Sequence, residues 1–278
     1  MTQSMASGTG DLCLVNGQPV GQIPVGDRGL AYGDGLFETI RVSQGQLTLA
    51  DYHFARLARD TARLRIAVDV ACLTAEASEL ASQLGEGVIK LIITRGAGER
   101  GYAPTNGPAT RIMLSSPLPP YPAERQEQGV VLYPCTTRLA LQPALAGMKH
   151  LNRLEQVLAR AEWQAPFGEG LVCDMLGTPV ECTMSNLFVR SKGVWVTPEM
   201  DQCGVRGVMR DYLVAALAGQ GEPVKQRPVE LPELLDSEEL FCCNSVFGVW
   251  PVAGFMDRTW IPGSFTRQAQ ALARRVLM

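Results

Sequence analysis

The run Ser115-Ser116-Pro117-Leu118-Pro119-Pro120-Tyr121-Pro122 divides the chain. Proline lacks an amide proton and fixes its own φ, so neither a helix nor a central strand continues through this run. It reads as a stiff, polyproline-like connector at 115–122, between an N-terminal α/β domain at 1–114 and a C-terminal domain at 123–278.

Toward the N-terminus, Asn16-Gly17 is a strong hairpin signal and predicts strands at 12–15 and 19–23. Gln44-Gly45 predicts a second hairpin from 39–42 and 47–49. Asp51 is expected to cap a helix carrying Tyr52, Ala55, Leu57 and Ala58, with another helix at 73–84. Short β-branched segments at 88–94 and 110–115 read as strands. Toward the C-terminus, strands are predicted at 130–134, 170–176, 187–190, 194–197 and 239–243, and helices at 151–163, 208–218 and 266–277. In the first of these helices Leu151, Leu154, Val157, Leu158 and Ala161 share one face, the pattern of a core-facing stripe. Strands and helices mix without regular alternation. The expected fold class is therefore α+β in two domains, with the cleft between them as the ligand site.

Composition removes several function classes. The 278 residues are 46% hydrophobic and 19% charged, ordinary for a globular chain, so disorder and fibrous repeats are excluded. A net charge of -3 does not suit a nucleic-acid or membrane-surface binder. No segment is long and apolar enough to span a bilayer. Residues 1–11 have neither a basic nor an apolar region and read as a short flexible tail, not a secretory signal. Eight cysteines without a Cys-x-x-Cys pattern point to reduced thiols and a cytoplasmic protein. Two histidines, His53 and His150, give a metal site almost nothing to build from.

Taken singly, the polar motifs stay ambiguous. Lys149 sits between Met148 and His150-Leu151 before a predicted helix; it is either a helix-start lysine turned to water or a desolvated amine able to form a Schiff base. Glu181, entering a strand, is either a solvent-facing strand end or a carboxylate that keeps a heterocyclic nitrogen protonated. Gly204-Val205-Arg206-Gly207 precedes a helix, where backbone N–H groups and the helix dipole attract an anion. Arg56 lies on an amphipathic helix, where an arginine commonly snorkels to water.

Their order is informative. The succession Tyr32-Gly33-Asp34-Gly35-Leu36-Phe37-Glu38-Thr39, His53-x-x-Arg56-Leu57, Lys149, Glu181-x-x-x-Ser185-Asn186-Leu187-Phe188 and Gly204-Val205 resembles the fold-type IV pyridoxal-phosphate enzymes from about residue 12 to the C-terminus. That family holds branched-chain and D-amino-acid aminotransferases and aminodeoxychorismate lyases. The resemblance implies that Lys149 carries pyridoxal 5′-phosphate and shuttles the substrate proton, and that Glu181 pairs with the pyridine nitrogen. It implies that Asn186 contributes to cofactor binding and that Arg56, the amides of Val205 and Arg206, and Asn244 hold the phosphate. Lys149-His150-Leu151-Asn152-Arg153-Leu154-Glu155 and the loop from Arg95 to Tyr102 resemble the lyase branch, while Phe37 stands where D-amino-acid aminotransferases place a tyrosine. A lyase of this kind converts 4-amino-4-deoxychorismate to 4-aminobenzoate and pyruvate; the alternative is an aminotransferase on the same scaffold. The substrate has two carboxylates, for which Arg100 is the first candidate partner, with Tyr32, Thr39 and Tyr102 lining the pocket. The family also implies a homodimer whose second subunit closes the pocket.

Overall fold

In the computed structural model, the described residues are 12–278 except Thr105, and the tail reading of 1–11 lies outside them. The elements run β1 (Cys13–Val15), α1 (Arg28–Tyr32), β2 (Gly35–Ser43), β3 (Gln46–Leu47), α2 (Ala50–Leu64), α3 (Val70–Leu84), β4 (Gly87–Thr94) and β5 (Thr110–Ser116). After the prolines come α4 (Glu124–Glu127), β6 (Val130–Leu139), α5 (Leu154–Ala161), β7 (Glu169–Asp174), β8 (Pro179–Cys182), β9 (Asn186–Ser191), β10 (Val194–Thr197) and α6 (Val208–Ala218). The chain ends with β11 (Val224–Gln226), α7 (Leu231–Leu235), β12 (Glu239–Asn244), β13 (Gly248–Phe255), β14 (Arg258–Thr259) and α8 (Ser264–Leu277).

The first sheet is antiparallel in the order β1-β5-β4-β2-β3. Period-two alternation gives it two unlike faces. Leu36, Ile40 and Val42 of β2 and Ile89, Leu91 and Ile93 of β4 pack under Phe54 and Leu57 of α2 and Leu73, Ala77 and Leu80 of α3. Phe37, Thr39, Val88, Lys90 and Ser116 fall on the other face, where Thr39 pairs with Lys90 and Val88 with Ser116 across the strands. That face is turned to the second half of the molecule.

The second sheet closes on itself. Strands β9-β12-β13-β6-β7-β8 form a ring that the single pair Glu181–Asn186 of β8 and β9 completes. The pairings β13–β6 and β6–β7 are parallel. Phe188, Phe241 and Val249 on one side of its strands pack against Met209, Leu213 and Leu217 of α6 and Ala269 and Leu272 of α8. Leu187, Val189, Leu240, Cys242, Trp250 and Val252 alternate with them and form a second cluster with Leu132 and Leu171.

Most predicted elements are present, with informative differences. Asn16 and Gly17 do form a left-handed turn, with φ of 52° and 76°, but 19–23 is no strand; β1 pairs with β5 instead. Pro19 removes an amide donor from that segment and Pro24 follows directly after it. The first residue of α2 is Ala50, capped by Leu49 rather than Asp51, which sits within the first turn. The helix predicted over 151–163 is only α5, and its apolar stripe does not face the core: Leu154 is 76% exposed, Val157 61% and Leu158 59%.

Candidate active site

Lys149 is placed by main-chain hydrogen bonds on both sides. The Phe37 N–H donates to the Lys149 carbonyl at 2.9 Å and the Leu151 N–H to the Gly35 carbonyl at 3.0 Å, so this segment lies along β2 like a short extra strand. Just before it, Gly147 donates to the Gly204 carbonyl at 3.0 Å and accepts from Arg206 N–H at 3.1 Å. The lysine is thus strapped between the first sheet and the loop leading into α6. Its Nζ stands 4.3 Å from the Phe37 ring centroid, in a cavity of about 690 Å³ between the free face of the first sheet and the mouth of the barrel. Burial, and then the Arg56 charge, lower its pKa from 10.5 to about 8.

Arg56 reaches the same cavity from α2, and it is not snorkelling. It is 6% exposed, donates through Nε to Glu38 Oε1 at 2.8 Å and through Nη2 to Glu38 Oε2, and its Nη1 donates to the Arg206 carbonyl at 3.0 Å. His53 Nδ1 donates to the same carboxylate at 2.6 Å. Burial alone would raise the Glu38 pKa; Arg56 and His53 overcome it and bring it to about 2. A guanidinium has five N–H donors, so two remain for a ligand.

Glu181 lies at the ring closure, 4% exposed, on the cavity wall. It accepts from the Val205 N–H at 2.8 Å and from Gln156 Nε2 at 3.4 Å. Burial raises its pKa against the pull of Val205, Arg153 and Lys149. A buried carboxylate facing open cavity across from an amine is matched to a cationic heterocycle nitrogen.

The phosphate cradle differs from expectation. The Val205 amide is taken by Glu181 and the Arg206 amide by the Gly147 carbonyl, while the Arg206 side chain points outward to Asp211, 2.8 Å away. Asn244 is spent on its own turn, accepting from Val246 and Phe247 N–H at 2.9 Å each and donating to Met184 O at 3.1 Å. Asn186 donates to Val205 O at 2.8 Å and accepts from Gly207 N–H at 3.0 Å, which shapes the loop and leaves its amide committed. The N–H groups available at this corner belong to Val208 and Met209, the first two residues of α6, which have no intrahelical acceptor and line the cavity. The sequence reading did not single them out; the signal for them is the helix start at 208, about one turn after Gly204.

The group expected here fits this frame. An amine, a buried carboxylate, and an arginine with two helix-start amides surround one cavity of ligand size. Gly207 is part of the fit, because a Cβ there would collide with Asn186 Oδ1. Gly207→Ala is expected to displace the start of α6 and weaken phosphate-bearing cofactor binding by at least about 10-fold, measured by equilibrium dialysis. Of the four substrate-contact residues expected, only Thr39 lines the cavity. Tyr32, Arg100 and Tyr102 form a separate exposed group: the Gly101 N–H donates to Tyr32 Oη at 3.2 Å and the two tyrosine rings are 5.5 Å apart. They ride on α1 and the loop after β4, beyond the end of the strand that faces the site.

Comparison with known proteins agrees with this architecture. An aminodeoxychorismate lyase of Vibrio harveyi is 40% identical over 245 residues, 86% of this chain and 90% of that one. A crystal structure of 4-amino-4-deoxychorismate lyase from Pseudomonas aeruginosa superposes with a TM-score of 0.94 at 48% identity, covering 96% of this chain and 99% of that chain. A hypothetical aminotransferase from Mycobacterium tuberculosis in a PLP-bound form shares the fold, with a TM-score of 0.81 at 19% identity over 93% of this chain and 94% of that chain. The family model for amino-transferase class IV matches residues 35–255, from the first residue of β2 to the last of β13, and the chain belongs to that family.

Proposed function

We propose that the protein is a pyridoxal-phosphate-dependent aminodeoxychorismate lyase, converting 4-amino-4-deoxychorismate to 4-aminobenzoate and pyruvate for folate biosynthesis. The observation that carries this reading is the Lys149 amine, its pKa lowered to about 8, facing buried Glu181 in one cavity. It does so in a chain 40% and 48% identical to proteins named for that reaction.

When bound, the cofactor supplies an electron sink for the charge left on removing a proton beside the substrate nitrogen. Lys149 would hold it, and its Nζ, once free, would remove the proton from the amine-bearing carbon of the substrate. A pKa lowered to about 8 leaves part of this amine unprotonated near neutral pH, which suits Nζ to that role. Glu181 keeps the ring nitrogen protonated, and its burial strengthens that pairing. The two spare Arg56 donors and the Val208 and Met209 amides hold the phosphate, while Asn186 and Asn244 hold the loops that present them. Loss of the enolpyruvyl oxygen substituent leaves an aromatic ring, which drives the step forward.

The reading extends to assembly. The outward stripe Leu154, Val157 and Leu158 on α5 adjoins the cavity mouth and suits a homodimer interface; Tyr32, Arg100 and Tyr102 would then serve the site of a second subunit. Leu154→Ser with Leu158→Ser is expected to shift the solution mass to the 30.1 kDa monomer, read by light scattering. We propose the proline run as the domain boundary; Ser115 and Ser116 still belong to β5, so the two sheets part from Pro117 onward. No helix among the described residues is long and apolar enough to cross a membrane, and the eight cysteines are free, which favours a cytoplasmic setting.

The test is fluorescence of 4-aminobenzoate when the holoenzyme meets aminodeoxychorismate with no keto acid present. Product formation supports the lyase. No product, together with keto-acid-dependent turnover of branched-chain or D-amino acids, would replace it with an aminotransferase.

A further inference from the structure

The cavity carries more positive charge than its own residues balance. Five cations line it, Arg56, Lys90, Lys149, Arg153 and Arg160, against one carboxylate, Glu181. Arg56 is neutralised from behind by Glu38, and Lys149 is committed to chemistry. Arg160 lies over the Trp163 ring at 3.9 Å and donates to the Trp163 carbonyl at 3.0 Å, which turns its guanidinium toward its own helix end. Lys90 and Arg153 remain, and among the described residues neither forms an ion pair.

Arg153 precedes α5 directly, as its N-cap residue. One of its five donors goes to neutral His150, Nη2 to Nε2 at 2.5 Å, and its Nε is buried without a hydrogen-bond partner among the described residues. Next to it Gln156 Oε1 and His150 Nδ1 are likewise unpartnered. It lines the same cavity as Lys149 and Glu181, and Gln156, three residues on, donates to Glu181 Oε1 at 3.4 Å. Lys90 approaches from the opposite wall, on β4, with Nζ 5.4 Å from the Phe37 ring whose centroid lies 4.3 Å from Lys149 Nζ. Two cations without an ion-pair partner, on walls from the two halves of the chain, suit a ligand with two anionic groups; a planar guanidinium matches a carboxylate through two parallel hydrogen bonds.

We propose that Arg153 is the specificity-determining receptor of the enolpyruvyl carboxylate, the one that 4-aminobenzoate lacks, with Lys90 on the facing wall taking the ring carboxylate. This rests on the lyase reading and replaces Arg100 as the partner within the same subunit. It explains what an aminotransferase for monocarboxylate amino acids would not need, a second free cation beside the first.

The test compares two inhibitors of the holoenzyme: chorismate, with both carboxylates and a hydroxyl in place of the amine, and 4-aminobenzoate, with one carboxylate. In Arg153→Gln, chorismate inhibition is expected to weaken about 10–100-fold more than 4-aminobenzoate inhibition, the range for a lost charge-assisted hydrogen bond. In Arg153→Lys, which keeps the charge without the fork, part of that selectivity should return, and KM should change more than kcat. Cofactor absorbance of each variant reports whether the site is assembled. Equal weakening of both inhibitors would make Arg153 a structural cap on α5, and unchanged chorismate inhibition would remove it from substrate binding. Either result with wild-type turnover intact overturns the proposal and leaves the lyase reading standing. A wild-type protein that neither releases 4-aminobenzoate nor is inhibited by chorismate overturns both.

Discussion

Lys149→Ala is expected to lower the release of 4-aminobenzoate by about 10³–10⁴-fold, the scale of a lost positioned base. The effect has two parts. At neutral pH an amine with a pKa of about 8 offers roughly two orders of magnitude more free base than an ordinary lysine, and alanine removes it altogether. On the proposed reading the variant also loses the amine that would hold the cofactor, so borohydride should no longer fix the cofactor to the chain, a readout independent of turnover. Added primary amines are expected to restore part of the rate because the cavity around the missing ammonium keeps its shape; Phe37 and the main-chain strap to β2 do not depend on the side chain. A variant that retained full turnover would refute the role of Lys149.

Glu38→Ala carries the largest expected loss of stability, about 3–5 kcal/mol in urea titrations, because it leaves Arg56 buried with no counter-charge. The pairing also has a pH signature. The Glu38 pKa, about 2 in the folded protein, lies below its usual 4.5, so the folded state favours the ionised form. Its contribution, about 3 kcal/mol, is complete above pH 4.5 and is lost as pH falls toward 2. Glu38→Gln should flatten this acid limb, and Glu38→Gln with Arg56→Gln should be more stable than Glu38→Gln alone, since a neutral pair replaces an orphaned charge. If both variants unfold on acidification as the wild type does, the ion pair is not what sets acid stability.

The fold was legible where local chemistry and tertiary structure agree. The prolines at 117–122 end one sheet system, and the helix starting at Val208 and the strand at Val194–Thr197 stand where their sequence patterns place them. The α5 stripe was misread for a definite reason. A 3.6-residue period tells which side chains share a face, but not whether that face is turned into the core or away from it. The phosphate corner shows the same limit at the scale of single atoms. Val205 and Arg206 precede a helix, as anion-binding amides do, yet Glu181 and Gly147 reach their N–H groups first.

The sequence by itself determined the chemistry available: Lys149 beside apolar neighbours, Glu181 entering a strand, Arg56 three residues after His53, and glycines before the helix at Val208. These are choices of residue type, and their order along the chain identifies the family. Only the tertiary structure decided which of them can act together. Closing the barrel through Glu181–Asn186 brings the carboxylate to the cavity, and strapping residues 149–151 along β2, with Gly147 held to the loop before α6, turns Lys149 toward it. The physical reason is that hydrogen-bond donors, acceptors and charges are spent on whatever folds nearest to them. Which amides remain for a phosphate and which cations remain for a substrate is settled only after the rest of the chain has taken its share.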